Sequence, residues 1–193
     1  MAFEVEPEWM LESIANMVRE CSKCTLGVTR KNAVPGEGSP RAAIMFIGEG
    51  PGANEDEQGR PFVGAAGNLL TKLLGYIQVN REDVFITNIV KCRPPQNRVP
   101  QKDEVEACKP FLMSQIAMIK PAVIVTLGSP SLKTMLGSTH AISSAHGKLQ
   151  IHEGLRFLPM YHPAAYLHKR SPELLDTMKA DFLELRKLLK QLN

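Results

Sequence analysis

Four short apolar runs, rich in β-branched residues, recur along the chain. They cover residues 43–48, 84–90, 122–127 and 156–161. Each run has the length of a β-strand, and the run 122–127, AVIVTL, is apolar almost throughout. Continuous apolar runs are typical of strands that are covered on both faces of a parallel sheet. The pattern therefore predicts four buried, mostly parallel strands.

Segments with helical periodicity lie before, between and after these runs. They cover residues 8–19, 66–76, 101–119, 129–135 and 172–192. Ser129 and Ser171 each precede a proline, which predicts a capping hydroxyl followed by proline at the first helical position. The alternation of strands and helices predicts an α/β fold, a three-layer α/β/α sandwich around a central four-stranded, mostly parallel sheet.

Glycines, prolines and polar residues follow three of the four predicted strands. These stretches are GEGPG at 48–52, KCRPP at 91–95 and HPAA at 162–165. In open α/β sheets, ligands bind beyond the carboxyl ends of the strands, so we expect the chemistry to converge on one edge. The proline-rich piece 92–100 joins a strand to a helix and is predicted to be an ordered loop. We therefore expect a single domain that spans residues 1–193.

The composition excludes several classes of protein. With 193 residues, 44% of them hydrophobic and 22% charged, the chain is long enough to bury one globular core. It has no apolar run of about 18 residues, and its start has neither a basic nor an apolar export region. We therefore expect a cytoplasmic protein without a membrane partner. The net charge of +3 permits a nucleic-acid partner but does not demand one.

The four cysteines are poorly explained as a disulfide framework, because a reducing compartment keeps such thiols reduced. Cys21 and Cys24 form a C-x2-C pair that can face one centre from a single turn, while Cys92 and Cys108 lie far away in sequence. Four thiolates suit either a structural zinc ion or a cubane iron-sulfur cluster, and the spacing fits both. Four cysteine ligands leave no open coordination position, so we expect a structural staple rather than a catalytic metal.

Three stretches resemble the motifs of one enzyme family. They are GEGPGANEDEQGRPFVG at 48–64, ITNIVKCRPP at 86–95 and HPAA at 162–165. Together with the cysteine spacing, they resemble the family 4 uracil-DNA glycosylases, the iron-sulfur branch of that superfamily. The resemblance implies a monofunctional hydrolase of base-excision repair, which flips uracil out of single- or double-stranded DNA and leaves free uracil and an abasic site. It also implies that the four cysteines hold a [4Fe-4S] cluster.

The resemblance assigns roles to three residues in these motifs. Phe62 is expected to stack on the flipped base, and Asn88 to pair with uracil O4 and N3–H, a pattern that cytosine reverses. His162 is expected to stabilise the negative charge that develops on uracil O2 as the bond to the sugar breaks. Outside such a motif, a loop phenylalanine is more often a core residue, an asparagine at a strand end pairs with backbone groups, and a single histidine is usually structural.

Two carboxylates in the first motif are further candidates. Glu49 stands where relatives carry a residue that orients the attacking water, so it is predicted to act as a general base or to position that water. By resemblance, Glu55 is expected to close the C5 side of uracil against the methyl group of thymine. Gly48 and Gly50 complete the predicted substrate-binding set.

The segment 161–170 combines apolar and basic residues after His162 and is predicted to be a DNA-contacting loop. Relatives insert an apolar wedge from this loop into the gap left by the flipped base, and basic residues meet phosphates. Leu167 is our prediction for the wedge and Arg170 for the phosphate contact. Ala164 replaces the serine that is commoner after His-Pro, so backbone amides are expected to replace its hydroxyl.

Other basic residues receive less specific predictions. A second basic cluster, which we expect to hold its loop against DNA, consists of Lys91, Arg93 and Arg98. The remaining histidines are predicted to be structural, with His168 also a candidate phosphate contact; they are His140, His146, His152 and His168. We expect a monomer, and the sequence does not determine whether it contacts a sliding clamp.

Three alternative functions remain open at the level of sequence. A uracil-DNA crosslinking branch of the superfamily shares the four cysteines, but carries a histidine-containing basic insertion after the Asn88 strand that is absent here. A non-enzymatic DNA-binding module is disfavoured because Glu49, Phe62, Asn88 and His162 are all present. A zinc-stapled α/β hydrolase with another substrate would give a colourless protein, whereas an iron-sulfur protein is brown.

Overall fold

One mixed sheet lies at the centre of the computed structural model, which describes residues 6–137 and 141–192. Its strands, in chain order, are β1 (Glu37–Gly38), β2 (Ile44–Gly48), β3 (Phe85–Asn88), β4 (Val123–Leu127), β5 (Gln150–His152) and β6 (Leu155–Met160). The spatial order is β1-β3-β2-β4-β6-β5. The inner four strands are parallel and correspond to the four predicted ones, while β1 and β5 pair antiparallel at the two edges. The predicted α/β class is confirmed, and the predicted strand count of four is wrong.

The two edge strands lack the signal that reveals the inner four. β1 has only two residues, too few for any periodicity, and β5 is largely exposed rather than apolar and buried. β5 joins β6 through Glu153 and Gly154, whose φ angles of 49° and 77° are both left-handed. That geometry suits a tight hairpin turn, and Gly154 at its second position was the sequence feature that could have indicated the hairpin.

Nine helices accompany the sheet in the described residues. They are α1 (Pro7–Arg19), α2 (Leu26–Thr29), α3 (Ala53–Gln58), α4 (Ala65–Tyr76), α5 (Lys102–Ile119), α6 (Ser129–Leu136), α7 (Ile142–Ala145), α8 (Pro163–Lys169) and α9 (Pro172–Leu192). The five predicted helices are present to within one residue at each end. The Leu174 N–H donates to Ser171 Oγ at 3.3 Å, which confirms that cap, whereas Gly128 and not Ser129 precedes α6.

Helices cover both faces of the sheet because successive strand residues point to opposite sides. Phe46 in β2 faces α4 and α9, where it packs with Leu70 and Phe182. Its neighbour Ile47 faces the other way, into a cluster that includes Leu112 of α5 and residues of α6. The predicted three-layer α/β/α sandwich is confirmed.

The segment 161–170 is mainly helical, so the prediction of a loop there is wrong. Its helix, α8, has His162 as N-cap and Pro163 at the first position, and it ends at Arg170 with a left-handed φ of 48°. Proline fits the first helical turn because its missing N–H has no helical partner there. Ala164 and Ala165 favour a helix, so the HPAA motif at 162–165, which was predicted to be part of a loop, starts a helix at the edge of the sheet.

Among the described residues, none of the helices combines the length and the apolar character needed to cross a bilayer.

Candidate active site

Six of the predicted residues line one pocket of about 430 Å³ beyond the carboxyl ends of the parallel strands. They are Glu49, Gly50, Glu55, Phe62, Asn88 and His162. The wall also contains residues that were not predicted, namely Pro51, Gly52, Ala66, Pro94 and Asn97, together with Ala164, which was predicted only to offer a backbone amide. Arg98 and His168, predicted only as candidates for DNA contact, complete it. Pro51, Gly52 and Pro94 lie in the loops that leave β2 and β3, and that position was the signal that could have found them.

Asn88 is the last residue of β3 and is only 1% exposed. Within the described part of the chain, its Oδ1 is buried without a hydrogen-bond partner. A buried amide oxygen without a partner is costly, and here it belongs to a residue of the pocket wall. A hydrogen bond from a ligand in the pocket would satisfy this oxygen.

Gly48 lies beneath the pocket rather than in its wall. A Cβ at this position would lie 2.4 Å from Asn88 Oδ1 and 2.7 Å from Phe62 Cζ. Both distances are far below van der Waals contact. Any side chain here would displace the Asn88 amide and the Phe62 ring, so the shape of the site requires glycine at position 48.

Phe62 has a left-handed backbone, with φ of 50°, and is 6% exposed. For a residue other than glycine, this conformation costs about 1–2 kcal/mol. Neighbouring contacts hold it in place: Arg81 donates to the Pro61 carbonyl at 2.6 Å, and α4 approaches so closely that a Cβ on Gly67 would lie 1.7 Å from the Phe62 carbonyl oxygen. The ring lies 5.5 Å from the His162 ring, with a tilt of 30° between their planes.

Glu55 organises the backbone around Phe62. Its Oε1 accepts from the N–H groups of Val63 and Gly64, both at 2.9 Å, and its Oε2 accepts from the Gly52 N–H at 3.1 Å. The carboxylate thereby ties the start of α3 to the turn that carries the aromatic ring. Glu55 also lines the pocket, and its expected role at the C5 side of uracil stays a prediction.

His162 is held in one protonation state. The Ala164 N–H donates to its Nδ1 at 3.1 Å, so Nδ1 must carry a lone pair. Burial lowers the pKa of His162 to about 4, although the carboxylate of Glu55 raises it to a smaller extent. At neutral pH the imidazole is therefore uncharged, with its proton on Nε2, which is a hydrogen-bond donor.

Glu49 follows β2 directly and is half-buried in the pocket wall. Burial raises the pKa of its carboxyl group. A raised pKa makes the carboxylate a better proton acceptor, as a general base requires.

The two residues predicted to contact DNA lie on α8, next to the pocket but not in its wall. Leu167 is half-buried and Arg170 is exposed at the C-terminal end of this helix. Both roles stay predictions.

The predicted basic cluster is not a group of exposed charges. Lys91 is 1% exposed and its Nζ donates to three interior oxygens, which corrects the expectation that it faces DNA. Its long aliphatic stem allows burial because the ammonium group finds these acceptors. Arg98 forms a two-pronged ion pair with Glu104, at 2.6 and 2.8 Å, and this contact is the main cause that lowers the Glu104 pKa to about 2. Arg93 donates to Asn97 Oδ1 at 2.9 Å.

The other histidines lie in different settings. His146 Nδ1 lies 3.0 Å from Asp181 Oδ1, His152 is exposed on β5, and His168 lines the pocket. The prediction for His140 lies outside the described residues.

All four cysteines line one small cavity between α1, α2 and α5. Arg30 donates to Cys92 Sγ at 3.0 Å, and the Lys91 N–H donates to Cys108 Sγ at 3.2 Å. Within residues 6–137 and 141–192, no three His, Cys, Asp or Glu side chains are arranged to hold a single metal ion. Four thiols around one cavity, with N–H donors directed at the sulfurs of Cys92 and Cys108, are a donor set that suits a shared metal centre.

Comparisons with known proteins agree with this geometry. The family model described as the uracil DNA glycosylase superfamily matches residues 35–189. A type-4 uracil-DNA glycosylase of Saccharolobus solfataricus is 49% identical over 93% of this chain and 86% of its own length. Proteins with the same name from Sulfurisphaera tokodaii and Thermotoga maritima are 48% and 42% identical, over 92% and 95% of this chain and over 84% and 97% of their own lengths.

Proposed function

The chain belongs to the uracil DNA glycosylase superfamily, and within it to the type-4 uracil-DNA glycosylases, and from that premise we propose how its pocket releases uracil from DNA. One observation carries the proposal: the buried Oδ1 of Asn88 has no hydrogen-bond partner among the described residues and belongs to a pocket shared with Phe62 and His162. The enzyme is a hydrolase that acts on the N-glycosyl bond.

Uracil is recognised by its Watson–Crick edge after the nucleotide leaves the helix. Asn88 Oδ1 accepts from uracil N3–H while its Nδ2 donates to O4. Cytosine has an acceptor at N3 and a donor at the 4-position, so both contacts become repulsive. Phe62 supplies the stacking surface, and its fixed backbone reduces the ordering cost of binding.

Bond cleavage places the C1′–N1 electron pair on uracil and leaves a sugar with oxocarbenium character. His162 donates from Nε2 to O2, where the negative charge of the uracil anion collects. A neutral donor that is already oriented by the Ala164 N–H needs no rearrangement as this charge develops. Water then adds to C1′ and its proton passes to Glu49, while the uracil anion takes up a proton from solvent, so the products are free uracil and an abasic site.

The acid side of the pH profile should report Glu49 and not His162. Burial raises the Glu49 pKa above its ordinary value of 4.5 and lowers the His162 pKa to about 4. As the pH is lowered, Glu49 therefore becomes protonated before His162 does, and activity falls with it. A single-turnover profile from pH 4 to 8 should show this fall in the wild type. Glu49→Gln should be slower and nearly flat over the same range. A fall that persists in Glu49→Gln would contradict the assignment.

The DNA contacts are proposed from position alone. Leu167 lies on α8 and Arg170 caps its C-terminal end, while His162 caps the start of the same helix. A helix that approaches the DNA therefore places both residues beside the flipped nucleotide. Leu167 supplies the apolar wedge and Arg170 the phosphate contact. Lys91 has no part in this interface.

We propose that the four cysteines hold a [4Fe-4S] cluster, with Cys21 and Cys24 next to α2, Cys92 after β3 and Cys108 in α5. When bound, the cluster supplies cross-linking and no chemistry in the excision. Burial raises the pKa of Cys108 to about 11, so metal binding must displace a thiol proton. Cys92 connects the cluster to the pocket, because the loop after β3 that contains Cys92 also contains Pro94 and Asn97 of the pocket wall.

Removing one cluster ligand should affect stability before chemistry. Cys92→Ala is expected to lose the absorbance near 400 nm and most soluble yield, because the loop after β3 loses its anchor. Iron content, absorbance and thermal unfolding check this. The exposed Ser22→Ala, beside the C-x2-C pair, serves as the matched control. A Cys92→Ala protein with unchanged iron content and unfolding temperature would exclude Cys92 as a ligand.

The function itself is tested by incubating the protein with uracil-containing single- and double-stranded oligonucleotides. We expect free uracil and an abasic site that breaks only on treatment with alkali. Matched thymine and cytosine oligonucleotides should stay intact. A stable covalent complex with uracil DNA would instead place the chain with the crosslinking enzymes. The single domain, the monomeric state and the cytoplasmic location stay predictions.

A further inference from the structure

Lys91 occupies an unusual position for a charged residue. Its side chain is 1% exposed, and its Nζ donates to Gln115 Oε1 at 2.7 Å, to the Asn88 carbonyl oxygen at 3.0 Å and to Thr87 Oγ1. A protonated lysine has three N–H donors, and these contacts provide an acceptor for each of them. Gln115 Nε2 and Thr87 Oγ1 both donate to the Pro35 carbonyl. This leaves Gln115 Oε1 and the lone pairs of Thr87 Oγ1 as acceptors for Lys91.

The main chain of Lys91 is held at both ends as well. Its N–H donates to Cys108 Sγ at 3.2 Å, and its carbonyl accepts from the Val34 N–H at 2.7 Å. Lys91 therefore contacts Cys108 of the proposed cluster site through its backbone amide, and the end of β3 at Asn88 through its side chain. The contact from Nζ to the Asn88 carbonyl closes the turn by which the chain leaves β3.

This turn also orders the first motif. The Ile89 N–H donates to the Gly48 carbonyl at 3.0 Å, and the Val90 N–H donates to the Glu49 carbonyl at 3.3 Å. A shift of the turn would thus move the backbone next to Asn88 and Glu49 together. Small displacements matter here, because the Asn88 amide already leaves no room for a Cβ on Gly48.

We propose that Lys91 is a positioning residue, whose buried side chain clamps the Asn88 carbonyl so that the Asn88 amide is held in the orientation that reads uracil. The inference rests on the proposed function. Lys91 touches no substrate and acts through Asn88, while its N–H to Cys108 links the same turn to the cysteine site.

The test is a double-mutant cycle on the holoprotein, with matched iron content and absorbance near 400 nm. Lys91→Met keeps the length of the stem and removes all three hydrogen bonds. Gln115→Met is the matched control, since it breaks the same buried network but keeps the contact to Asn88. The readouts are single-turnover excision, inhibition by free uracil, and binding of DNA that carries an abasic-site analogue.

Lys91→Met should slow excision about tenfold and weaken uracil inhibition about tenfold, the size expected for one well-placed hydrogen bond. Binding of abasic-analogue DNA should stay within about twofold, because that ligand has no base for Asn88 to read. Gln115→Met should lower stability but leave uracil inhibition unchanged. In an Asn88→Ala background, Lys91→Met should add little, because the residue it positions is gone.

Lys91→Gln, which keeps an N–H donor, replaces Lys91→Met if that variant does not fold, and it should show the same pattern with smaller factors. Two results would overturn the inference. One is an equal loss of uracil inhibition in the Lys91 and Gln115 variants; the other is a full tenfold effect of Lys91 in the Asn88→Ala background. A wild type that releases no uracil would instead refute the proposed function and not the clamp.

Discussion

His162→Ala is expected to lower the rate of excision by about 10²–10³-fold, the loss typical of removing one donor from a site where negative charge develops. Binding of uracil-containing DNA should change far less, because the donor acts mainly on the uracil anion and not on the neutral base. Single-turnover uracil release, with a separate measurement of DNA affinity, distinguishes the two effects.

The matched control for this change is His152→Ala, which removes an exposed imidazole on the edge strand β5. It should leave the rate within about twofold, as surface substitutions usually do. If His162→Ala weakened DNA binding as strongly as it slowed excision, His162 would be a binding residue. If the rate were unchanged, another group would have to stabilise the uracil anion.

Asn88→Ala is expected to reduce the efficiency of excision by about 10²-fold, because two hydrogen bonds to the base edge are lost. Inhibition by free uracil should weaken by a similar factor. The absorbance of the iron-sulfur centre should stay the same, since Asn88 is not a ligand. Competition assays with free uracil and a spectrum of the purified variant check both expectations.

The matched control is Asn68→Ala, which removes the amide of an exposed asparagine on α4, outside the pocket wall. Its excision efficiency should match that of the wild type. An Asn88→Ala protein that is still inhibited by uracil as strongly as the wild type would show that the base is read elsewhere. The buried Oδ1 would then need another explanation, such as an ordered water.

The inner fold could be predicted because its signal is local. The run 122–127 is apolar almost throughout and becomes β4, which is fully buried. The edge of the sheet that carries Asn88 and His162 follows from strand direction alone. β1 and β5 escaped prediction because edge strands are short or exposed and get their stability from pairing with a neighbour. That pairing is set by the register of distant residues, as in Glu37 opposite Ile86.

The site was predictable where a residue type and its position agree. The resemblance of their motifs singled out Phe62, Asn88 and His162, and the structure places all three in the wall of one pocket. Asn88 ends β3 and His162 comes soon after β6, at the same edge of the sheet. Lys91 was misassigned because a lysine next to arginines usually indicates an exposed charge, and its three buried acceptors come from the fold. The tautomer of His162 depends on the Ala164 N–H, which points at Nδ1 only because α8 starts there.

The most direct test of the account is a single-turnover measurement of uracil release from an oligonucleotide with one uracil. The wild type and the Asn88→Ala/His162→Ala double variant are purified in parallel, with matched iron content. We expect stoichiometric uracil from the wild type and almost none from the double variant on the same time scale. Equal release by both proteins, or no release by the wild type, would contradict the assignment of uracil excision to this pocket.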